Sequence, residues 1–372
     1  MRAVAQIDLD AIRTSVAVLR TRASSAALMA VVKADGYGHG AVPVARAALD
    51  AGATWLGVAF IEEAEQLRQA GIDAPVLLLV EPAPGVIARA AAIDVDVAVG
   101  SAASLQEAVT CDARARIHLK VDTGLSRGGA TPDAWAALCA AAAQGQSDGV
   151  LDVVGVWSHL ACADEPSHPS IDAQLGTYRH ALDVASSVGI RPLLRHLASS
   201  GGILARPDTH FDLVRAGISV YGLSPGPAIP PAAIRGLRPA MRLSARVALT
   251  KRVPAGSGVS YGHRHVTTRE TTLALVPIGY ADGVPRAAAN VAEVQLGGRR
   301  RRVAGTVCMD QFMVEVDDDA VAAGDEVLLF GPGDNGEPTA DEWAQMISTI
   351  GYEVVTRIGV RVPRIYVGAG SP

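Results

Sequence analysis

The feature that most constrains this chain is an alternation running through its first 220 residues. Short apolar, β-rich runs are each followed by a longer Ala-rich stretch. The runs are 28–32, 54–59, 76–80, 95–99, 116–121, 153–157, 193–196 and 211–214. Between them, 61–70, 101–110, 132–143 and 172–188 read as helices; Ile61, Ala64, Glu65 and Arg68 set an apolar face against a charged one. Glu62 and Gln66 stand at i,i+4. Eight such units predict a closed parallel (β/α)8 barrel rather than an open sheet. An open dinucleotide-binding sheet carries a Gly-rich turn after its first strand, and Gly36-Tyr37-Gly38-His39-Gly40 has the wrong spacing for one.

Gly222–Gly236 packs four prolines into 15 residues and reads as a linker. Beyond it the pattern changes to strands separated by Gly-rich turns: 242–253, 271–278, 291–296, 301–307, 312–316, 326–330, 352–358 and 364–367. One helix, 340–350, interrupts them. The expected organisation is therefore α/β: a barrel domain over 1–236 and a mainly β domain over 237–372.

Composition narrows the function. The net charge of −5 and the 4% aromatic content argue against nucleic acid as a partner. No apolar run reaches the roughly 20 residues that span a bilayer. The first residues carry early acids and no apolar signal core, so a cytoplasmic location is expected. Cys111, Cys139, Cys162 and Cys308 form no C-x-x-C pair and read as reduced thiols. His263 and His265 read as surface residues, and no metal site is expected.

A barrel places its chemistry at the C-terminal ends of its strands. Lys33, Lys120, Asp122, Arg127, His159, Ser199, Ser200 and Arg215 all fall there. Lys33 leaves an apolar strand, which desolvates its amine and favours the free base able to form a Schiff base. The alternative is a lysine reaching out to solvent. Ser199-Ser200-Gly201-Gly202 reads either as an anion cradle at a helix N-terminus or as a simple helix cap. Arg215-Ala216-Gly217-Ile218 forms a second turn at the usual barrel phosphate position. Taken alone, Gly258–Gly262 and Cys308–Gln311 are turns.

Together these residues resemble the alanine racemases, fold-type III pyridoxal-phosphate enzymes, over essentially the whole chain. The most specific match is Ala30-Val31-Val32-Lys33-Ala34-Asp35-Gly36-Tyr37-Gly38-His39-Gly40. Lys120–Arg127, Ser158–Asp164, Val214–Gly222, Val259–Gly262, Gly279–Gly283, Cys308–Gln311 and Tyr352–Val354 follow in the family's order.

The resemblance implies a head-to-tail homodimer with shared active sites, acting on alanine. Lys33 would hold pyridoxal 5'-phosphate as a Schiff base, with Tyr37, Ser200, Gly217, Ile218 and Tyr352 around its phosphate. His159 would pack beside the ring and Arg215 would bond the pyridine nitrogen. Lys33 and the partner's Tyr261 would be the two bases. Arg127 and the backbone of Met309 would receive the substrate carboxylate, supported by Lys120, Tyr280 and Asp310. Lys120 resembles a lysine that many members carry as a carbamate. The product, D-alanine, would supply cell-wall peptidoglycan. Two positions depart from the family pattern, Ser199 and Thr306, while Asp164 and Arg286 remain. The alternatives are a racemase of broader substrate range, a decarboxylase of the same fold type, and a single-barrel cofactor carrier.

Overall fold

The computed structural model describes residues 1–232 and 234–369. The chain opens with β1 (Ala3–Asp8) and the helix α1 (Leu9–Arg22), capped by Asp8, whose Oδ1 accepts from the N–H groups of Asp10 and Ala11. The barrel follows: β2 (Ala27–Val31), β3 (Trp55–Val58), β4 (Val76–Leu78), β5 (Asp96–Val99), β6 (Ala115–Lys120), β7 (Leu151–Trp157), β8 (Leu194–His196) and β9 (Leu213–Ala216). These strands pair in the parallel order β8-β7-β6-β5-β4-β3-β2-β9. The ring is nearly closed, because the N–H groups of Asp212 and Arg215 donate to Arg195 O and Ala198 O, both at 3.0 Å, between β8 and β9.

Each of the eight apolar runs is a barrel strand. Leu56, Val58, Ile117, Leu119 and Val156 are wholly buried, as strands covered on both faces require. The helices Ile61–Gln69, Ala102–Thr110, Pro132–Ser147 and Ser170–Ser187 lie where the 3.6-residue period places them. Among the described residues no helix is long and apolar enough to cross a membrane.

The second sheet contains β10 (Met241–Arg246), β11 (Leu249–Val253), β14 (Thr271–Val276), β15 (Glu293–Leu296), β16 (Arg299–Ala304), β17 (Phe312–Asp317), β18 (Glu326–Phe330) and β19 (Arg364–Val367). The short hairpin β12 (Gly258–Val259) and β13 (His265–Val266) stands apart. Its ninth strand is β1, which pairs antiparallel with β10 and parallel with β19. The first residues thus fall on the β-domain side although they precede the barrel. The cause is visible in the pattern: Ala3, Ala5 and Ile7 are buried while their neighbours are partly exposed, an alternation that suits a one-sided sheet.

Two further expectations are corrected. The run 242–253 is two strands, because β10 pairs with β1 and β18 whereas β11 pairs with β14. The run 352–358 is not a strand; Gly351–Thr356 is a helix, burying Val354, Val355 and Ile358 at helical spacing. His263 is exposed as expected, but His265 is half-buried, with Nε2 2.7 Å from Glu315 Oε2.

Candidate active site at the barrel mouth

Lys33 begins a turn of unusual hand at the end of β2. Ala34, Asp35 and Gly36 have φ of 53°, 50° and 60°. For residues with a Cβ this costs about 1–2 kcal/mol each. The surroundings hold it in place. Ala34 N–H donates to Glu63 Oε1 at 2.6 Å, Asp35 Oδ1 accepts from Ala41 N–H at 2.8 Å, and Gly36 N–H donates to Val32 O at 2.8 Å. Lys33 is half-buried, and burial followed by the charge of Arg127 pushes its pKa down, with Glu63 opposing. The amine is thereby biased toward its nucleophilic form.

A cradle lies alongside. The buried ring of Tyr37 packs at 4.8 Å on Tyr221 and 6.0 Å from Tyr352, and Tyr221 Oη donates to Val31 O at 2.9 Å. Ser199 makes no side-chain cap, so the simple-cap reading does not hold. Ser200 Oγ instead accepts from Gly217 N–H at 2.9 Å and Ser219 N–H at 3.4 Å, joining the two turns. A Cβ on Gly217 would lie 2.7 Å from Tyr37 Oη, and one on Gly201 would lie 2.0 Å from Ala163 O. The first N–H groups of Ser200–Ala205 and Ile218–Tyr221 have no helical acceptor. Backbone donors of the two turns, the Ser200 hydroxyl and the Tyr37 phenol thus meet around Gly217, a donor set suited to phosphate.

Arg215 is the fixed cation of the mouth. It is 3% exposed. Nη2 donates to Ser158 O (2.8 Å), Leu197 O (3.0 Å) and His159 Nδ1 (3.1 Å), and Nη1 to His196 Nδ1 (3.1 Å). Its Nε–H has no partner among the described residues. Burial drives its pKa down to about 10, and that of His159 is driven well below its ordinary value by burial and then by Arg215. Lys120 is also buried, with Nζ 4.5 Å over the Trp157 ring. Burial, then Arg215 and Arg127, lower its pKa to about 8 against Glu81 and Asp122. Asp122 Oδ1 accepts from the N–H groups of Gly124, Leu125 and Ser126 and shapes the turn that presents the exposed Arg127.

The remaining residues lie elsewhere. Tyr261, Tyr280, Met309 and Asp310 line a hollow of about 1180 Å³ on the β domain, to which no barrel residue contributes. Tyr261 is 76% exposed and Met309 53%. Ser260 takes a left-handed φ of 61°, and its Oγ donates to Thr306 O at 2.8 Å. Thr306 Oγ1 donates to Tyr261 O at 2.8 Å, so this departure from the family pattern fastens the backbone under Tyr261. Tyr280 and Ala281 N–H donate to Cys308 O (3.0 Å) and Met309 O (2.9 Å), and the Met309 N–H has no acceptor among the described residues. Arg361 donates to Asp310 Oδ1 at 2.7 Å.

The structure therefore gathers Lys33, Tyr37, Lys120, Arg127, His159, Ser200, Arg215, Gly217, Ile218 and Tyr352 around the barrel mouth, and the other four around a separate hollow. Glu63, Tyr221, Trp157 and His196 also belong to the mouth. Sequence reasoning passed over them; Glu63 sits on a helix face that looks merely charged, and His196 ends a strand like many core histidines.

Residues 7–225 match the family model for the alanine racemase N-terminal domain, and residues 240–366 match the model for its C-terminal domain. The alanine racemase of Frankia casuarinae is 61% identical over 99% of this chain and 97% of its own length. That of Thermobifida fusca is 57% identical over 99% and 98%. The crystal structure of alanine racemase from the D-cycloserine producer Streptomyces lavendulae superposes with a TM-score of 0.96 at 52% identity, covering 99% of this chain and 98% of that one. With both domain models matched in order, and with relatives this similar from end to end, the chain belongs to the alanine racemase family.

Proposed function

We propose that this chain interconverts L-alanine and D-alanine with pyridoxal 5'-phosphate bound at the barrel mouth. The observation that carries the reading is the convergence there of Lys33, the donor cradle and the free Nε–H of Arg215. These fit the cofactor's aldehyde, phosphate and ring nitrogen. The bound group would withdraw electrons and acidify the α-proton of the substrate amine.

The chain's own residues do the rest. Lys33 would move the proton on one face of the α-carbon. Tyr261 of the partner subunit would move it on the other, in a homodimer whose β domains (237–372 together with β1) complete the mouths of the partner barrels. A phenol is a weak base at neutral pH, so Tyr261 needs positive charge near it. Arg215 supplies that charge through His159, whose Nδ1 accepts from Nη2 and whose other nitrogen then carries its proton. Arg127 and the free Met309 N–H would bind the carboxylate. Lys120 would orient Arg127, and Tyr280 and Asp310 would steady the Met309 loop. Exposure of Tyr261 and Met309 around a hollow with no barrel lining supports the shared site. The β domain also counts against a single-barrel carrier. The product would feed peptidoglycan synthesis in the cytoplasm.

The test is to incubate the cofactor-loaded protein with L-alanine and follow D-alanine with D-amino-acid oxidase. The reading expects D-alanine to form until the enantiomers are equal. No D-alanine from protein carrying cofactor overturns it, and a faster rate with serine would favour the broader racemase.

A further inference from the structure

A buried polar chain runs inward from Arg215 through the barrel. Arg215 Nη1 lies 3.1 Å from His196 Nδ1, His196 Nε2 lies 2.9 Å from His118 Nδ1, and His118 Nε2 lies 3.1 Å from Asp96 Oδ2. The four residues come from β9, β8, β6 and β5, and none is more than 3% exposed. Asp96 opens its strand, so the chain leads from the catalytic end of the barrel toward the opposite end. There Arg116 grips the carboxylate with Nε at 2.7 Å and Nη2 at 3.2 Å.

The rings have little freedom. Trp157 stacks on His196 with an interplanar angle of 3°, and Trp55 meets His118 edge-on. Gly155 makes the histidine contact possible, because a Cβ there would sit 2.3 Å from His118 Nδ1.

Donor chemistry fixes the protons. A guanidinium only donates, so His196 Nδ1 accepts. Its Nε2 then carries the hydrogen and donates to His118 Nδ1. His118 must in turn carry hydrogen on Nε2 and donate to the Asp96 carboxylate. Reversing the chain would set an N–H of His196 against an N–H of Arg215. Every link therefore donates from the cation toward the anion, an order that reinforces each bond. Among the described residues no carboxylate touches Arg215; the carboxylate it reaches along hydrogen bonds is that of Asp96, which Arg116 neutralises. Burial alone would raise Asp96, but His118 and Arg116 hold it below the usual carboxylate range.

We propose that Asp96, held by Arg116, anchors the far end of this chain, and that through His118 and His196 the chain holds the Arg215 guanidinium in the orientation that leaves its Nε–H directed to the cofactor ring. Asp96, His118 and His196 are thus positioning residues. The proposal rests on the assignment of Arg215 to the ring nitrogen.

The test reads the histidine protons directly. In protein labelled with ¹⁵N-histidine, His118 and His196 of the wild type should both be neutral Nε2–H tautomers. Hydrogen on Nδ1 of either ring overturns the proposal. In Asp96→Asn the carboxylate charge is lost while Arg215 still obliges His196 and His118 to donate inward, so both rings should stay Nε2–H and the His118 Nε2–H signal should shift as its acceptor weakens. The holoenzyme's visible absorption band should shift, and kcat should fall about tenfold or more with KM little changed, as when outer-shell partners of a bound group are removed. His118→Phe cuts the chain but keeps the Asp96–Arg116 pair, and should shift the band and lower kcat in the same way. Arg116→Gln keeps the carboxylate and should leave both tautomers unchanged while lowering stability. A wild-type band and kcat in His118→Phe or in Asp96→Asn would leave Asp96 only a structural role and end the proposal. The tautomers need no cofactor, so a failed cofactor assignment shows separately, as a missing visible band over the expected tautomers.

Discussion

Replacing Lys120 by methionine removes a buried charge and should change how stability depends on pH. Lys120 is 8% exposed, and its pKa is lowered from 10.5 to about 8 by burial, then by Arg215 and Arg127. At 1.36 kcal/mol per unit this places a cost of roughly 3 kcal/mol on the charged form in the folded state. The sign follows from proton counts. Below pH 8 both folded and unfolded chains hold the proton, and the cost is fully present. Between about pH 8 and 10.5 the unfolded chain holds more, so stability rises with pH and the cost is relieved. In CO₂-free buffer, the wild type should gain up to roughly 3 kcal/mol on Lys120→Met across this window by urea denaturation. Parallel curves for the two proteins would refute the electrostatic reasoning. The same shift has a chemical consequence. At pH 7.5 about a quarter of such amines are neutral, against about one in a thousand for an ordinary lysine. In bicarbonate buffer the neutral Lys120 amine should then add dissolved CO₂ and release a proton, giving a carbamate whose charge Arg215 and Arg127 would favour. A ¹³C carbamate signal in the wild type and none in Lys120→Met checks this.

Borohydride reduction of the cofactor-loaded protein should attach the cofactor to Lys33, read by peptide mass; label on Lys120 or Lys251 would contradict the assignment. Gly217→Ala drives a Cβ to 2.7 Å from Tyr37 Oη, and should weaken cofactor binding about tenfold or more in absorbance titrations, the cost of overpacking being about 1–3 kcal/mol. Asp282→Ala leaves the buried Gly279 N–H without its acceptor and frees the half-exposed Arg2 and Arg361, which now share that carboxylate, and should lower stability by about 1–3 kcal/mol in urea.

The barrel was legible because parallel strands covered on both faces must be apolar throughout, and such runs stand out between Ala-rich helices. β1 was not, since its pairing with β10 and β19 joins residues more than two hundred positions apart. Gly351–Thr356 misled because Val354 and Val355 favour strands locally while their burial follows a helix. At the mouth, Lys33 and the Ser200 turn were readable from strand ends. Their supports were not. The Glu63 carboxylate that steadies the Lys33 turn comes from another element, and so does the Thr306 hydroxyl that fastens Tyr261. Spacing along a chain carries no signal for either. The His196–His118–Asp96 chain is assembled from three strands, and each residue alone resembles an ordinary buried polar group.

The central claim is a site built from the barrel of one protomer and the β domain of its partner. Lys33→Ala and Tyr261→Phe, each inactive alone, test it most directly when mixed in equal amounts after subunit exchange. Random pairing makes about half the dimers mixed, and each mixed dimer holds one site with both wild-type bases and one with neither. The account predicts recovery to about a quarter of wild-type racemase activity. No recovery, with exchange demonstrated by differently tagged chains, would mean that both bases come from one chain and would contradict the account.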